Sequence, residues 1–101
     1  MVVEVLRCVA RPYTAEDGVV VHDAILPGLE RGEIVTVSFE GANAVSTSFV
    51  NCAFIELLER CDFAFIKAHL RVVKSTGQIN RMIKQRFYFE VNRRQPPHAA
   101  E

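Results

Sequence analysis

The sequence predicts a small α/β domain in which a mostly parallel or mixed sheet is covered by three helices, in the order β-α-β-α-β-α. Runs rich in β-branched residues alternate with segments whose apolar residues recur at helical spacing, a pattern typical of parallel strands joined by crossover helices. The chain has 101 residues and half of them are apolar. This is enough for one hydrophobic core, and the chain is too short for two domains.

The first strand and helix are predicted from a β-branched run and a capping pattern. Residues 2–9 (VVEVLRCV) are typical of a strand. Thr14 is followed three positions later by Asp17, which fits the start of a helix. Apolar spacing predicts this helix over about residues 17–31, and the Pro27-Gly28 pair predicts a kink or an early end.

The second strand and helix follow a short turn. Residues 33–39 (EIVTVSF) alternate in the way of a strand, and we expect this strand to lie in the centre of the sheet. Residues 40–43 (EGAN) predict a turn. The hydroxyl run of residues 46–48 (STS) then opens a helix that we expect to continue to about Cys61.

The last strand and helix complete the predicted domain. Residues 69–74 (HLRVVK) predict a strand, and Ser75-Thr76 predicts the cap of a helix that runs to about Phe89. We therefore expect residues 1–92 to form the domain and residues 93–101 to be a disordered polar tail.

Charge is balanced overall but not along the chain. Residues 1–66 carry four Lys and Arg against ten Asp and Glu, whereas residues 67–101 carry eight against two. Such asymmetry suits head-to-tail association or an acidic partner, and it equally suits opposite faces that pair within one fold, which we favour. Because the net charge is zero, we do not expect nucleic acid to bind, although aromatic and basic residues mix near Phe87.

The sequence predicts neither an enzyme nor a metal or cofactor site. Its three cysteines, Cys8, Cys52 and Cys61, lie in apolar runs without a CxxC pair or a nearby histidine pair. Such thiols are typical of a reducing cytoplasm, where they act as small apolar side chains. The N-terminus does not resemble a signal peptide, and no apolar run approaches the roughly 20 residues of a membrane span.

The segment that begins at Val35 resembles a bacterial family of STAS-like domains of unknown function, where STAS stands for sulfate transporter and anti-sigma factor antagonist. The family's strand ends in an Asp-Phe-x-Gly turn, which Ser38-Phe39-Glu40-Gly41 matches with serine in place of aspartate. A Val-Ser piece and a Ser-Phe helix start follow, matched here by Val45-Ser46 and Ser48-Phe49. The resemblance extends over roughly residues 10–90.

The resemblance implies a regulatory domain that binds a protein. Anti-sigma factor antagonists carry an Asp-Ser-Ser-Gly run at this junction, and a partner kinase phosphorylates a serine in it. Here the run is Ser46-Thr47-Ser48-Phe49, so that the aspartate and the glycine are replaced and Thr47 falls at the phosphoacceptor position. The implied partner is a histidine-kinase-like ATPase or an anti-sigma-type switch protein.

The hydroxyls of Ser46, Thr47 and Ser48 therefore have two interpretations. Serine and threonine are favoured caps, so they could serve the helix alone. A phosphorylated hydroxyl would instead add about −1.5 to −2 charge beside the helix and change how a partner docks. Anions also suit helix N-termini, which leaves a nucleotide-binding or small-ligand module as a further alternative.

The predicted helix of residues 47–61 is apolar around most of its circumference. A helix that lies on a sheet needs a narrower apolar arc, so we expect a neighbouring helix or a partner chain to cover the rest. Asn51, Phe54 and Leu58 are the candidates for a partner interface. If the partner is a second copy, the protein is a small structural homo-oligomer.

Overall fold

The computed structural model describes residues 1–94, in which three parallel strands form one sheet in the order β1-β2-β3. The strand expected at the centre is confirmed there. The strands are β1 (Val2–Glu4), β2 (Val35–Ser38) and β3 (Leu70–Val73). The α-helices are α1 (Val5–Cys8), α2 (Ala15–Glu30), α3 (Thr47–Ala53), α4 (Phe63–His69) and α5 (Gly77–Arg94), and a 3-10 helix (Ile55–Glu59) lies between α3 and α4.

The predicted order with three helices is therefore wrong in detail, because the described chain has five α-helices. The parallel sheet with covering helices is confirmed. Arg93 and Arg94, which the sequence places in the tail, are the last two residues of α5. The remaining residues of the expected tail, 95–101, lie outside the described part of the chain.

The sheet has one covered face and one open face. Side chains alternate along a strand, and the register places Val3, Val37 and Val72 side by side on the covered face. On the opposite face the register aligns Val2 with Thr36 and Arg71, and both Val2 and Arg71 are exposed. The helices therefore bury a single surface of the sheet among the described residues.

The first predicted strand is cut short by the limited length of its neighbour. β1 pairs with β2 only from Val2 to Glu4, opposite Thr36 to Ser38, where β2 ends. The following backbone has no strand opposite it, and a buried N–H or C=O without a partner is costly. Residues 5–8 form the helical turn α1 instead, and the N–H of Val9 donates to the carbonyl of Val5 at 3.0 Å.

The helix predicted after Thr14 is present, with a complete capping box. The backbone N–H of Asp17 donates to the Thr14 hydroxyl at 3.1 Å, and the backbone N–H of Thr14 donates to the Asp17 carboxylate at 3.3 Å. The helix does not end early at Pro27 but continues to Glu30. Proline removes the hydrogen bond to the carbonyl four residues before it, and that carbonyl belongs to the exposed Asp23, where water can satisfy it.

The second predicted helix is broken in two. α3 ends at Ala53, the backbone of Phe54 leaves helical geometry at ψ −47° and φ −121°, and a 3-10 helix follows. The Phe54 ring is fully buried. The break changes the direction of the side chains that follow, so that Ile55 and Leu57 are buried as well.

Helix α4 was not predicted from the sequence. Asp62 caps it, accepting a hydrogen bond from the backbone N–H of Phe65 at 2.8 Å. The segment is too short and too mixed in polarity to give a strong helical period. It leads directly into β3 and thereby places Phe63 and Ile66 beside that strand.

The end of helix α5 carries a cluster of ion pairs around a buried carboxylate, and one arginine of the cluster contacts the 3-10 helix. Glu90 is 6% exposed and accepts hydrogen bonds from the guanidinium groups of Arg93 and Arg94. Arg94 also donates to Glu59 of the 3-10 helix at 2.8 Å. These arginines lower the pKa of Glu90 below its ordinary value, with the hydrogen bond from Arg93 the main cause.

Helices α2 and α3 lie in close contact at Gly18. A Cβ atom at this position would lie 2.6 Å from the carbonyl oxygen of Phe49 and 2.7 Å from the Cβ of Cys52. These distances are shorter than van der Waals contact, so only glycine fits without movement of one helix. The neighbouring helix therefore covers much of the apolar surface of α3.

We predict that Gly18→Ala destabilises the protein by about 1–2 kcal/mol, because the clash with α3 outweighs the gain in helix propensity. Gly77→Ala is the matched control, since a Cβ there meets nothing within 4 Å. Its effect should stay within about 0.5 kcal/mol. Denaturant unfolding measures both, and an equal effect of the two substitutions would contradict the close helix contact.

We predict that Glu90→Gln lowers the free energy of unfolding at pH 7 and flattens its dependence on pH. A lowered pKa in the folded protein gives stabilisation that is complete above the pKa of an unfolded glutamate, about 4.3, and is lost as the pH falls through the folded value. Unfolding free energies measured from pH 7 to pH 3 test this. Glu40→Gln, which removes an exposed pair with Lys74, should retain the wild-type pH profile.

Candidate functional site

The loops that follow the three strands meet at one edge of the sheet. Parallel strands all end at the same edge, where α/β proteins commonly bind ligands and partners. The backbone N–H of Ser46 donates to the carbonyl of Pro12 at 3.3 Å, and the Thr76 hydroxyl donates to the carbonyl of Asn43 at 3.4 Å. We call residues 9–14, 39–46 and 74–76 the carboxyl-edge loops. Helix α3 begins directly after the second of these loops.

Ser46 is a structural residue at this edge. Its hydroxyl oxygen accepts a hydrogen bond from the backbone N–H of Phe49 at 3.0 Å, which caps α3. The same hydroxyl donates to the carbonyl of Tyr13 at 2.6 Å. Ser46 therefore joins the start of α3 to the loop before α2, and its side chain is half-buried.

Thr47 and Ser48 are the first two residues of α3, and both are exposed. Since Ser46 supplies the cap, neither of these hydroxyls is needed for it. Both side chains lie where the first backbone N–H groups of a helix carry partial positive charge. The sequence-predicted geometry, with accessible hydroxyls at a loop-to-helix junction, is present for these two residues.

The turn before the junction holds Ser38 in a defined position. Ser38 is 7% exposed, and its hydroxyl oxygen accepts a hydrogen bond from the backbone N–H of Glu40 at 3.3 Å. Gly41 has φ of +89°, a conformation that glycine adopts at low cost. The serine oxygen makes a turn contact that an aspartate carboxylate could also make at this position.

A shallow depression of about 270 Å³ lies among these loops. Its lining includes Arg11 and Tyr13 from the loop before α2 and Gly41 and Asn43 from the loop after β2. Arg11 is exposed and supplies a positive charge. A guanidinium group of this kind can pair with a carboxylate or a phosphate of a partner.

The other three candidates, Asn51, Phe54 and Leu58, do not form an exposed interface. The Phe54 ring is fully buried, with its centroid 6.1 Å from that of Phe39 and 6.4 Å from that of Phe49. The amide oxygen of Asn51 accepts a hydrogen bond from Arg86 of α5 at 2.9 Å. Leu58 is half-buried against the core. These contacts lie within the chain, so the apolar helix is covered by its own domain.

The surroundings of two cysteine thiols hold them in their neutral form. Burial raises the pKa of the Cys52 and Cys61 thiols, and nearby carboxylates add to the rise, which disfavours a reactive thiolate. The His22 Nδ1 lies 3.3 Å from the carboxylate of the adjacent Asp23 on α2. Within residues 1–94, no three side chains of His, Cys, Asp or Glu group as metal ligands.

We predict that Ser46→Ala destabilises the protein by about 1–2 kcal/mol, because it removes the α3 cap together with the bond to Tyr13. Thr47→Ala and Ser48→Ala should each change stability by about 0.5 kcal/mol or less, since both side chains are exposed. Thermal and denaturant unfolding measure all three variants. A loss at Thr47 or Ser48 as large as that at Ser46 would show that these hydroxyls also support the fold.

Within residues 1–94, no helix combines the length and apolar character that a bilayer span requires.

A family model described as a STAS-like domain of unknown function (DUF4325) matches residues 17–80, which is more than half of the chain. The matched region starts in the first turn of α2 and ends in the first turn of α5. It includes the central strand, the hydroxyl junction and β3. No curated protein and no solved structure matches the chain. The chain therefore belongs to the family of STAS-like domains of unknown function.

Proposed function

We propose that the chain is a non-enzymatic regulatory domain that binds a protein partner through the start of α3 and the carboxyl-edge loops. The resemblance to anti-sigma factor antagonists suggests the class of partner, a histidine-kinase-like ATPase or an anti-sigma-type switch protein. The three free cysteines suit a reducing compartment such as the cytoplasm.

The proposal depends on the different contacts that the three hydroxyls of residues 46–48 make. A junction that served the helix alone would need one capping hydroxyl, and Ser46 provides it. Thr47 and Ser48 add two exposed hydroxyls that the fold does not use for capping. Their position at the start of a helix makes them accessible both to a partner surface and to a phosphate donor.

Phosphorylation of Thr47 or Ser48 would act on binding through charge. The phosphate would add about −1.5 to −2 charge at pH 7. An acidic partner surface would be repelled by the phosphate, and an arginine of a partner would be attracted to it. Thr47 takes the acceptor position by resemblance, and Ser48 is the adjacent alternative.

Two contacts within the chain weigh against the alternatives from the sequence. A homo-oligomer was suggested by the apolar helix after Ser46, but α2 and the core cover that helix. A nucleotide or small ligand at the start of α3 would compete with the Ser46 hydroxyl for the N–H of Phe49.

We predict that a negative charge at the start of α3 changes partner binding by about fivefold, equivalent to about 1 kcal/mol. The test compares Thr47→Glu and Ser48→Glu with the wild-type chain in affinity capture from the native cell, using quantitative mass spectrometry. Gln78→Glu is the matched control. Gln78 is exposed and follows the Thr76 cap of α5 by two residues, as Ser48 follows Ser46.

The same partner should be recovered with Gln78→Glu and with the wild-type chain, and its recovery should change with the α3 variants. Intact mass of the chain from the native cell then reports whether a phosphorylated species exists. Equal recovery of every protein by all variants would refute the binding surface. A changed recovery without any phosphorylated species would support the surface and refute the phosphoswitch.

A further inference from the structure

An apolar cavity of about 540 Å³ lies on the covered side of the sheet, away from the start of α3, between α4, β3 and α5. Its volume falls in the range of small-molecule sites, about 300–1,000 Å³. Its apolar lining includes Phe63, Ile66, Leu70, Val72, Ile83 and Phe87.

The cavity follows from the end of the sheet at β3. β3 is an edge strand of the described sheet, so α4 and α5 leave a gap beyond it rather than packing over a further strand. Phe63 of α4 and Phe87 of α5 close part of the gap, with ring centroids 5.2 Å apart and an angle of 30° between the ring planes. Leu70 and Val72 of β3 remain half-buried beside it.

Two lysines line the cavity with their ammonium groups unpaired. The Lys67 Nζ lies 5.3 Å from the centroid of the Phe63 ring, which places positive charge at the cavity wall. Lys84 of α5 also lines the cavity. Among residues 1–94, neither lysine forms an ion pair, although Arg60, Lys74 and Arg94 each pair with a glutamate.

Exposed polar residues border the cavity together with one exposed aromatic residue. Lys67, Lys84 and Gln85 line it and are exposed, and Tyr88 also lines it and is 71% exposed. A stable protein interface needs about 800 Å² on each partner, with an apolar centre. A concave apolar site of this volume, with two unpaired lysines in its lining, suits a small amphipathic anion.

We propose that this cavity binds a free organic anion with an apolar body, of the class of fatty-acyl or aromatic carboxylates. The apolar body lies against Phe63, Leu70 and Phe87, and the carboxylate pairs with Lys67 and Lys84. The charge complementarity of the two lysines selects an anion over a neutral amphiphile. This site is separate from the start of α3, so it stands whether or not the protein-binding proposal is correct.

The test is an NMR titration of the isotope-labelled full chain with decanoate, kept below its micelle concentration. Saturable one-to-one shifts of the Leu70, Val72 and Ile83 methyl groups are expected. Decanol at the same concentration, which has a similar apolar body and no charge, should bind about fivefold more weakly, as expected for the loss of two exposed ion pairs of about 0.5 kcal/mol each.

The double variant Lys67→Gln with Lys84→Gln should weaken decanoate binding by about the same fivefold factor. The matched control is Arg71→Gln with Lys74→Gln. These two substitutions remove the same total charge as the test variant. Arg71 lies on the open face of the sheet, and Lys74 forms an exposed pair with Glu40. This control should bind decanoate within about twofold of the wild-type chain, because surface charges away from the cavity are largely screened.

Several outcomes would overturn the proposal. These are the absence of saturable binding, equal affinity for decanoate and decanol, and equal affinity in the two double variants. Light scattering during the same titration tests whether a second copy of the chain occupies the cavity instead. A concentration-dependent dimer that protects the Leu70 and Ile83 methyl groups would assign the cavity to a second copy. Displacement of decanoate by an acidic amphipathic helical peptide of higher affinity would assign it to a protein segment.

Discussion

Helices α2 and α3 lie so close at Gly18 that the carbonyl of Phe49 occupies the space a larger side chain would need. This contact fixes the position of α3 on the sheet, because α2 itself packs over β1 and β2. Phe49 and Phe54 then pack with Phe39 from the loop after β2. The start of α3 is thereby held at the carboxyl edge, where its first residues reach solvent.

The fold separates two surfaces of different chemistry. The carboxyl edge is polar, with exposed hydroxyls at the start of α3 and Arg11 in a nearby loop. The cavity beside β3 is apolar, with positive charge at its wall. The chain from α3 through the 3-10 helix and α4 connects them in sequence. One short segment of chain therefore contributes to both surfaces.

The opposite charges of the two halves of the chain are partly paired within the domain. Arg94 pairs with Glu59, and Lys74 pairs with Glu40, so the basic C-terminal part contacts the acidic part in two places. Arg60 and Glu30 also pair, but both belong to the acidic part. The charge asymmetry is thus explained in part by internal pairing. Lys67 and Lys84, which line the cavity, form no ion pair among residues 1–94.

The sequence by itself determined the features that depend on neighbouring residues. The Thr14 and Asp17 capping box, the central strand and the capped starts of α3 and α5 were all predicted, because each is specified by a few adjacent side chains. The resemblance to the family was carried by local motifs of the same kind.

Only the tertiary structure decided where those elements end and which side chains remain exposed. β1 stops at Glu4 because β2 offers no further partner, and the helix after Ser46 breaks at Phe54 where that ring enters the core. Phe54 was expected at an interface and is buried instead. The cavity at β3 exists because the sheet ends there. Pairing length, ring packing and sheet edges are set by contacts between distant residues, which local sequence patterns do not encode.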